Sequence, residues 1–270
     1  LGGRENLQGA FVELQKTVEL DPGNRDAQLK LGELYLLGRE PAKARERADV
    51  ILASAPQDKD AILLRGRSYL GEQHLDEAIA DFKQFIAADP GNVSAYIDLA
   101  KAYAIKKDIS AVTATLTKAI AINPKSVDAR LALGDWHVGQ GRLTDAEAEY
   151  KHALEIDPTN EQLHVKLARF YQFANRWADA ETIYRGLAAL KPSDDKPLLY
   201  LGDFYKFLGK HEDALASYRK AVVVNSNSTI ARDTLIEYML DLGKIEEAAK
   251  QVNLIVEKNA QDFSGRYFTG

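Results

Sequence analysis

Six prolines stand at equal distances in this sequence: Pro22, Pro56, Pro90, Pro124, Pro158 and Pro192, each 34 residues after the last. No other feature restricts the fold so strongly, because a fixed period of this length makes the chain build one structural unit again and again. The period outlasts the proline, since Ser226 and Ala260 occupy the same slot. The surrounding quartets read DPGN, APQD, DPGN, NPKS, DPTN, KPSD, NSNS and NAQD. They end in Asn24, Asp58, Asn92, Ser126, Asn160, Asp194, Ser228 and Asp262. Such side chains accept a hydrogen bond from an unpaired N–H at the start of a helix. The residue before a proline is biased away from helical backbone. Each quartet therefore reads as a stop followed by a restart.

Between quartets there is room for two short helices. Gly38, Gly71, Lys107-Asp108, Gly141, Asn175, Gly209 and Gly243 divide the intervals, and the apolar spacing is helical on both sides of each break. No stretch alternates as a strand would, so the expected class is all-α. The columns agree from unit to unit. Leu31 is matched by Arg65, Leu99, Leu133, Leu167, Leu201 and Leu235, and Gly32 by Gly66, Ala100, Gly134, Ala168, Gly202 and Ile236. Tyr35 is matched by Tyr69, Tyr103, His137, Tyr171, Tyr205 and Met239, and Ala44 by Ala78, Val112, Ala146, Ala180, Ala214 and Ala248. One pair of columns trades volume: small Ala48 precedes large Ile51, whereas large Tyr150 precedes small Ala153. That is packing at constant volume.

A 34-residue helix–turn–helix unit with Leu-Gly-x-x-Tyr, then Ala, then an aromatic, then Ala and Pro resembles the tetratricopeptide repeat. The resemblance covers nearly the whole chain. It departs at Arg65, at Val112 and Leu116, and at Ile236, Met239 and Val252. It implies a single α–α superhelical solenoid, in which stacked hairpins share a core no hairpin could bury alone, with the first helix of each hairpin lining a concave surface. Full repeats are expected at 25–58, 59–92, 93–126, 127–160, 161–194, 195–228 and 229–262. Residues 1–24 read as the second helix of a preceding repeat and 263–270 as the start of a further one, as in a fragment of a longer array.

Composition narrows the function classes. The net charge of −5 and pI of about 5.7 give no basic footprint for nucleic acid. There is no cysteine, hence no disulfide, thiol catalysis or cysteine-bound zinc. No apolar run approaches the roughly 20 residues of a membrane span, so no membrane insertion is expected of this segment. Cytoplasm and bacterial cell envelope both remain open as compartments. HExxH, GxSxG and GxxxxGK[ST] are absent, and Gly139-Gln140-Gly141 sits in an inter-helix turn, where it breaks a helix rather than cradling phosphate. His137 and His164 are read as packed or hydrogen-bonded histidines ahead of a metal pair. No cofactor and no catalytic set are expected.

The expected function is therefore a non-enzymatic scaffold that binds a protein, a peptide or a partner helix in the concave groove. Two columns face that groove in this register. One is apolar (Leu29, Leu63, Ile97, Leu131, Val165, Leu199, then Asp233) and the next is charged (Glu33, Arg67, Lys101, Asp135, Arg169, Asp203, Glu237). Neighbouring charges such as Asp135, Arg169 and Asp203 pair across repeats in one reading; in the other they set a partner's register and polarity. Aromatic residues crowd repeats five and six, where Phe173 and Phe207 are open between buried packing and an anchor for a partner's apolar side chain. The expected contact residues are Arg67, Lys101, Arg169, Phe173, Lys206 and Phe207. A carboxylate clamp of the kind some family members carry is not reproduced by Glu33, Arg67 and Lys101. An asparagine ladder is absent from Lys30, Leu64, Asp98, Ala132, Lys166, Tyr200 and Thr234. The repeats are similar in flavour to bacterial arrays of cell-envelope assembly and of polysaccharide or protein export. Two alternatives stand beside the scaffold: a targeting or regulatory arm of a larger enzyme or secretion assembly, and an array that self-associates through open repeat ends.

Overall fold

The computed structural model describes the backbone of residues 2–258 and the side chains of residues 7–253. The expected turn at Ala260, the cap at Asp262 and the further repeat at 263–270 lie outside the described residues. Fifteen helices and no strand are found among the described residues. They fall into two compact units, which divide between Glu149 and Tyr150.

The first unit holds α1 (Gly2–Leu20), α2 (Arg25–Leu37), α3 (Pro41–Ser54), α4 (Lys59–Gly71), α5 (Leu75–Ala88), α6 (Val93–Ile105), α7 (Ile109–Ile122) and α8 (Val127–Gly139). The boundary falls within α9 (Leu143–Ile156). The second unit continues with α10 (Glu161–Phe173), α11 (Trp177–Leu190), α12 (Lys196–Phe207), α13 (His211–Val224), α14 (Thr229–Asp241) and α15 (Ile245–Lys258).

The helix starts follow the quartets. Asn24 takes the N–H of Ala27, Asp58 those of Asp60 and Ala61, Asn92 that of Ala95, and Ser126 that of Ala129. Asn160 takes those of Gln162 and Leu163, and Ser228 that of Ala231. Asp194 departs from the pattern. The donor three residues on, shared by the other six, is here Pro197, which has no N–H. The Asp194 carboxylate takes the N–H of Lys196 instead, at 3.1 Å, and the helix begins one residue late.

The breaks inside the hairpins fall at the expected places, with α2 ending before Gly38 and α4 ending at Gly71. The left-handed residues are Arg39, Gln73, Lys107, Gly141, Asn175, Gly209 and Gly243, with φ between 57° and 72°. Neither Gly38 nor Gly71 is one of them. Gly38 has φ −75°. Gly71 closes α4 for a packing reason, since a Cβ there would lie 2.8 Å from Pro41. The left-handed slot is as strictly periodic as the prolines, and only three of its seven residues are glycine.

Within the first unit each hairpin packs on the next, and α2 meets α4, α4 meets α6 and α6 meets α8 directly. The second helices α3, α5 and α7 make no comparable contact with one another. First helices that lie side by side while second helices spread give this unit a concave face built from first helices. Its core sets small and aliphatic residues around a few rings: Leu31, Ala44, Ala48 and Leu64 with Tyr35 in one cluster, Ala78 and Leu99 with Phe82 in another. Arg65, the departure from the leucine column, is explained by Asp81, which accepts both arms of its guanidinium at 2.8 and 2.7 Å. The core of the second unit holds several pairs of touching rings. Tyr150 meets Phe170 at 5.2 Å, Tyr184 meets Phe204 at 5.5 Å and Tyr218 meets Tyr238 at 5.5 Å. Such pairs add about 0.5–1.5 kcal/mol each beyond their buried area. Ile236, Met239 and Val252, the departures of the last repeat, are all buried.

Candidate functional site

In the first unit, the side chains of the first helices on the concave face are partly occupied with one another. Arg67 on α4 donates to Asp98 on α6 at 2.7 Å and to Ser94 at 3.0 Å. Lys101 donates to the other oxygen of Asp98 at 3.0 Å. The carboxylate of Asp98 is almost buried and is shared by two cations, so the trio keeps one net positive charge and ties two repeats together. Lys101 remains the more available of the two, with 59% of its side chain exposed against 33% for Arg67. The apolar column beside them, Leu29, Leu63, Ile97 and Leu131, is half-buried. It leaves two openings on this face. One of about 290 Å³ lies between α2 and α4, beside Leu29, Glu33 and Leu63. Another of about 310 Å³ lies between α6 and α8, with Lys101 and Asp135 among its walls.

In the second unit the charged column is drawn inward to tyrosines. Arg169 hydrogen-bonds the Tyr184 hydroxyl, whose pKa burial pushes up against the pull of that guanidinium. Asp203 accepts from Tyr218 at 2.7 Å, and burial together with this bond raises the Tyr218 pKa well above the ordinary phenol value. Lys206 donates to Asp241 at 3.2 Å and lies 4.7 Å over the Tyr238 ring. Most of the aromatic group is core: Phe170, Tyr171, Tyr184, Phe204 and Tyr205 are buried. Phe173 and Phe207 are not. They end α10 and α12 at 64% and 68% exposure, and Phe207 leans on Trp177 at 5.7 Å.

A third surface was not legible as a site. Around α11, α12 and α13 the small residues Ala188, Ala189 and Ala216 leave a cleft of about 470 Å³, edged by Arg185, Tyr205 and Lys220. Arg185 and Glu181 both bond the Tyr205 hydroxyl, at 2.7 Å for each. Burial and the Glu181 carboxylate push that hydroxyl up to about 12. The signal was the run of alanines, which the period alone does not separate from ordinary helix packing. Of the histidines, His137 is buried, and desolvation holds its pKa below the ordinary value. His164 Nδ1 is 2.9 Å from the carbonyl of Asn160.

Comparison with known families rests on the same columns. Models described as tetratricopeptide repeat match residues 3–67 and 137–201, residues 63–111 and 109–161, and residues 198–227. Together they run without a gap from residue 3 to residue 227. The chain belongs to the tetratricopeptide repeat family. No curated protein matches it significantly. Among solved structures, tetratricopeptide superhelices align along much of its length. PilF of Pseudomonas aeruginosa is 16% identical, with a TM-score of 0.55, 79% of this chain covered and 97% of that one. A tetratricopeptide repeat protein from Parabacteroides merdae is 14% identical, with a TM-score of 0.52 and coverage of 90% and 96%. The APC/C hetero-tetramer Cut9–Hcn1 is 17% identical, also at 0.52, with 98% of this chain covered but 53% of that one. At such identities the likeness is one of fold. Tetratricopeptide proteins are as a rule non-catalytic scaffolds, and the fold points to a protein partner. Among the described residues no helix is long and apolar enough to cross a membrane.

Proposed function

We propose that the chain is a non-enzymatic scaffold that takes a peptide or a partner helix along the faces of its first helices. In this reading the seven units from 25–58 to 229–262 repeat one interaction element. Arg67 and Lys101 contact the partner in the first unit, and Arg169, Phe173, Lys206 and Phe207 do so in the second. The observation that carries the reading is the exposure of Phe173 and Phe207 amid buried rings. Leaving two phenyl rings in water forgoes about 1.5–3 kcal/mol each of burial, and a ring whose backbone is already fixed at a helix end loses little further freedom on docking. Aromatic anchors of this kind dominate interface energetics. Arg169 and Lys206 already have partners within the chain, so their part is to orient and to select by charge rather than to supply most of the affinity.

The test is direct binding. A partner retained on the immobilised wild-type chain is purified, and its affinity is measured by calorimetry against Phe173→Ala/Phe207→Ala and against Arg67→Ala/Lys101→Ala. The phenylalanine pair is expected to weaken binding by about tenfold or more per ring, with unchanged circular dichroism. Affinity within twofold of wild type for both pairs would overturn the reading.

A further inference from the structure

We propose that the opening between α6 and α8 is an anchor pocket for one phenylalanine side chain of a partner segment, flanked in that segment by an acidic and a basic residue. The proposal rests on the scaffold reading and gives it a specific chemistry.

The pocket reaches down to Val112 and Leu116 of α7 because the array's own fillers are missing there. Between the first two hairpins Leu64 fills the gap over Gly32, so closely that a Cβ on Gly32 would lie 2.4 Å from its Cδ2. In the second hairpin the Phe82 ring does the same over Gly66, at 2.9 Å. In the third hairpin the slot of Phe82 holds Leu116 and the slot of Leu36 and Leu70 holds Ala104, and in the fourth the slot of Leu64, two repeats on, holds Ala132. These three replacements each remove volume from one place. The result is an open apolar space of about 310 Å³, floored by Val112 and Leu116 and walled by Ile97 and Trp136. An apolar cavity of about 150 Å³ is enough to take up benzene, so a phenyl ring fits with room for its approach.

The walls are held in place. Trp136 Nε1 donates to Thr113 Oγ1 on the neighbouring α7 at 3.1 Å, which fixes the indole as a flat side without using its face. Val112 and Leu116 are buried. The rim carries opposite charges on opposite helices, the Lys101 ammonium from α6 and the Asp135 carboxylate from α8. These two residues occupy the same slot one repeat apart. A segment that crosses from α6 to α8 with its ring down therefore meets positive charge first and negative charge second. Charge complementarity then asks for an acidic residue before the ring and a basic one after it, in the direction of crossing. A wholly basic or wholly acidic segment meets one like charge.

Trp136 and Trp177 are the two tryptophans of the chain, so Trp177→Phe leaves the pocket wall as sole reporter. In that background, Trp136 fluorescence is titrated with acetyl-Glu-Phe-Lys-amide, acetyl-Glu-Ala-Lys-amide and acetyl-Lys-Phe-Lys-amide. The first is expected to saturate at millimolar concentration, and the other two to bind at least tenfold and threefold more weakly. Ala100 puts a Cβ where Gly32 and Gly66 have none, so the fillers of the neighbouring repeats are restored as Leu116→Phe and Ala132→Leu, each combined with Ala100→Gly. Both are expected to keep the helical circular dichroism of the parent and to lose the signal, whereas Phe173→Ala/Phe207→Ala keeps it. Equal response to the phenylalanine and alanine peptides, or full binding by both filled variants, overturns the proposal. Sedimentation in which the parent dimerises and Leu116→Phe does not would assign the pocket to a second copy and overturns it too. Loss of a purified partner by Phe173→Ala/Phe207→Ala alone, with both filled variants still binding it, would sink the pocket and spare the scaffold reading.

Discussion

Gly202 and Gly186 sit one helix apart in the second unit, and their surroundings are opposite. A Cβ on Gly202 would lie 2.3 Å from Cε1 of Tyr218, a ring with no exposure that is tethered through its hydroxyl to Asp203. A Cβ on Gly186 would meet nothing within 4 Å. Gly202→Ala is therefore expected to destabilise by about 1–3 kcal/mol through overpacking. Gly186→Ala should stabilise by about 0.5–1 kcal/mol through the backbone entropy it removes from the unfolded chain. Urea denaturation of the two variants decides the matter, and shifts of the same sign would contradict the packing described. The small-residue column that contains Gly202 was legible from the period. What each charge does was not. Arg169 and Asp203 read as neighbours in one charged column, yet each reaches a tyrosine hydroxyl. A period fixes slots, while a long side chain chooses among several acceptors within its reach. Arg65 shows the same limit: it breaks the leucine column, and only the fold places Asp81 under its fork.

Among elements, the hairpin turn is where strain gathers. Arg39, Gln73, Lys107 and Asn175 hold the left-handed conformation, which costs a residue with a Cβ about 1–2 kcal/mol. Lys107→Gly relieves that penalty and gives back about 0.5–1 kcal/mol of glycine entropy, so a net gain of roughly 0.5–1 kcal/mol in thermal or urea melts is expected. A loss would mean that the lysine stem contributes packing the turn needs. These turns were half legible. Lys107, Gly141, Asn175, Gly209 and Gly243 stand in the slot itself, while Gly38 and Gly71 mark the ends of their helices one and two residues ahead of it. Gly71 is glycine for a different cause, the close approach of Pro41. Sequence punctuation marks where a side chain is unwelcome, and left-handed backbone is only one reason for that. The helix starts were more reliable because a cap needs a specific acceptor. The one late start, at Lys196, follows from a proline standing where the donor should be.

For the molecule as a whole, charge and burial set limits on pH. Asp58 is held below its ordinary pKa by Arg25, Glu161 by Lys191, Glu181 by the Tyr205 hydroxyl and Glu212 by Lys244. These carboxylates bind protons less readily folded than unfolded. Their stabilisation is present above about pH 4.5 and is lost as pH falls through the lower folded values. At the other limit, burial raises Tyr184, Tyr200, Tyr205, Tyr218 and Tyr238, all in the second unit. Their hydroxyls keep protons more tightly when folded. That contribution is complete below about pH 10, the unfolded value, and is lost as pH climbs through the folded ones, about 12 for Tyr205. Buried His137, its pKa held below the ordinary 6.5, begins to cost stability as pH falls below that value, so melting temperature should form a plateau between about pH 7 and pH 10 and decline on both sides. Above it, phenolate absorbance at 295 nm should rise together with loss of helical circular dichroism. Phenolate formation complete near pH 10 with the helices intact would refute this.

The seven left-handed turns from Arg39 to Gly243 recur without a single insertion or deletion between them. This gives the chain a reading frame in three dimensions. An α-helix turns about 100° per residue, so adding or removing one residue within a helix swings the rest of that helix to a new face and sends apolar columns toward water. Duplication or loss of a whole 34-residue word leaves the frame intact. Such a chain is free to change its length only in whole words, and each change carries a complete set of inner-face letters with it.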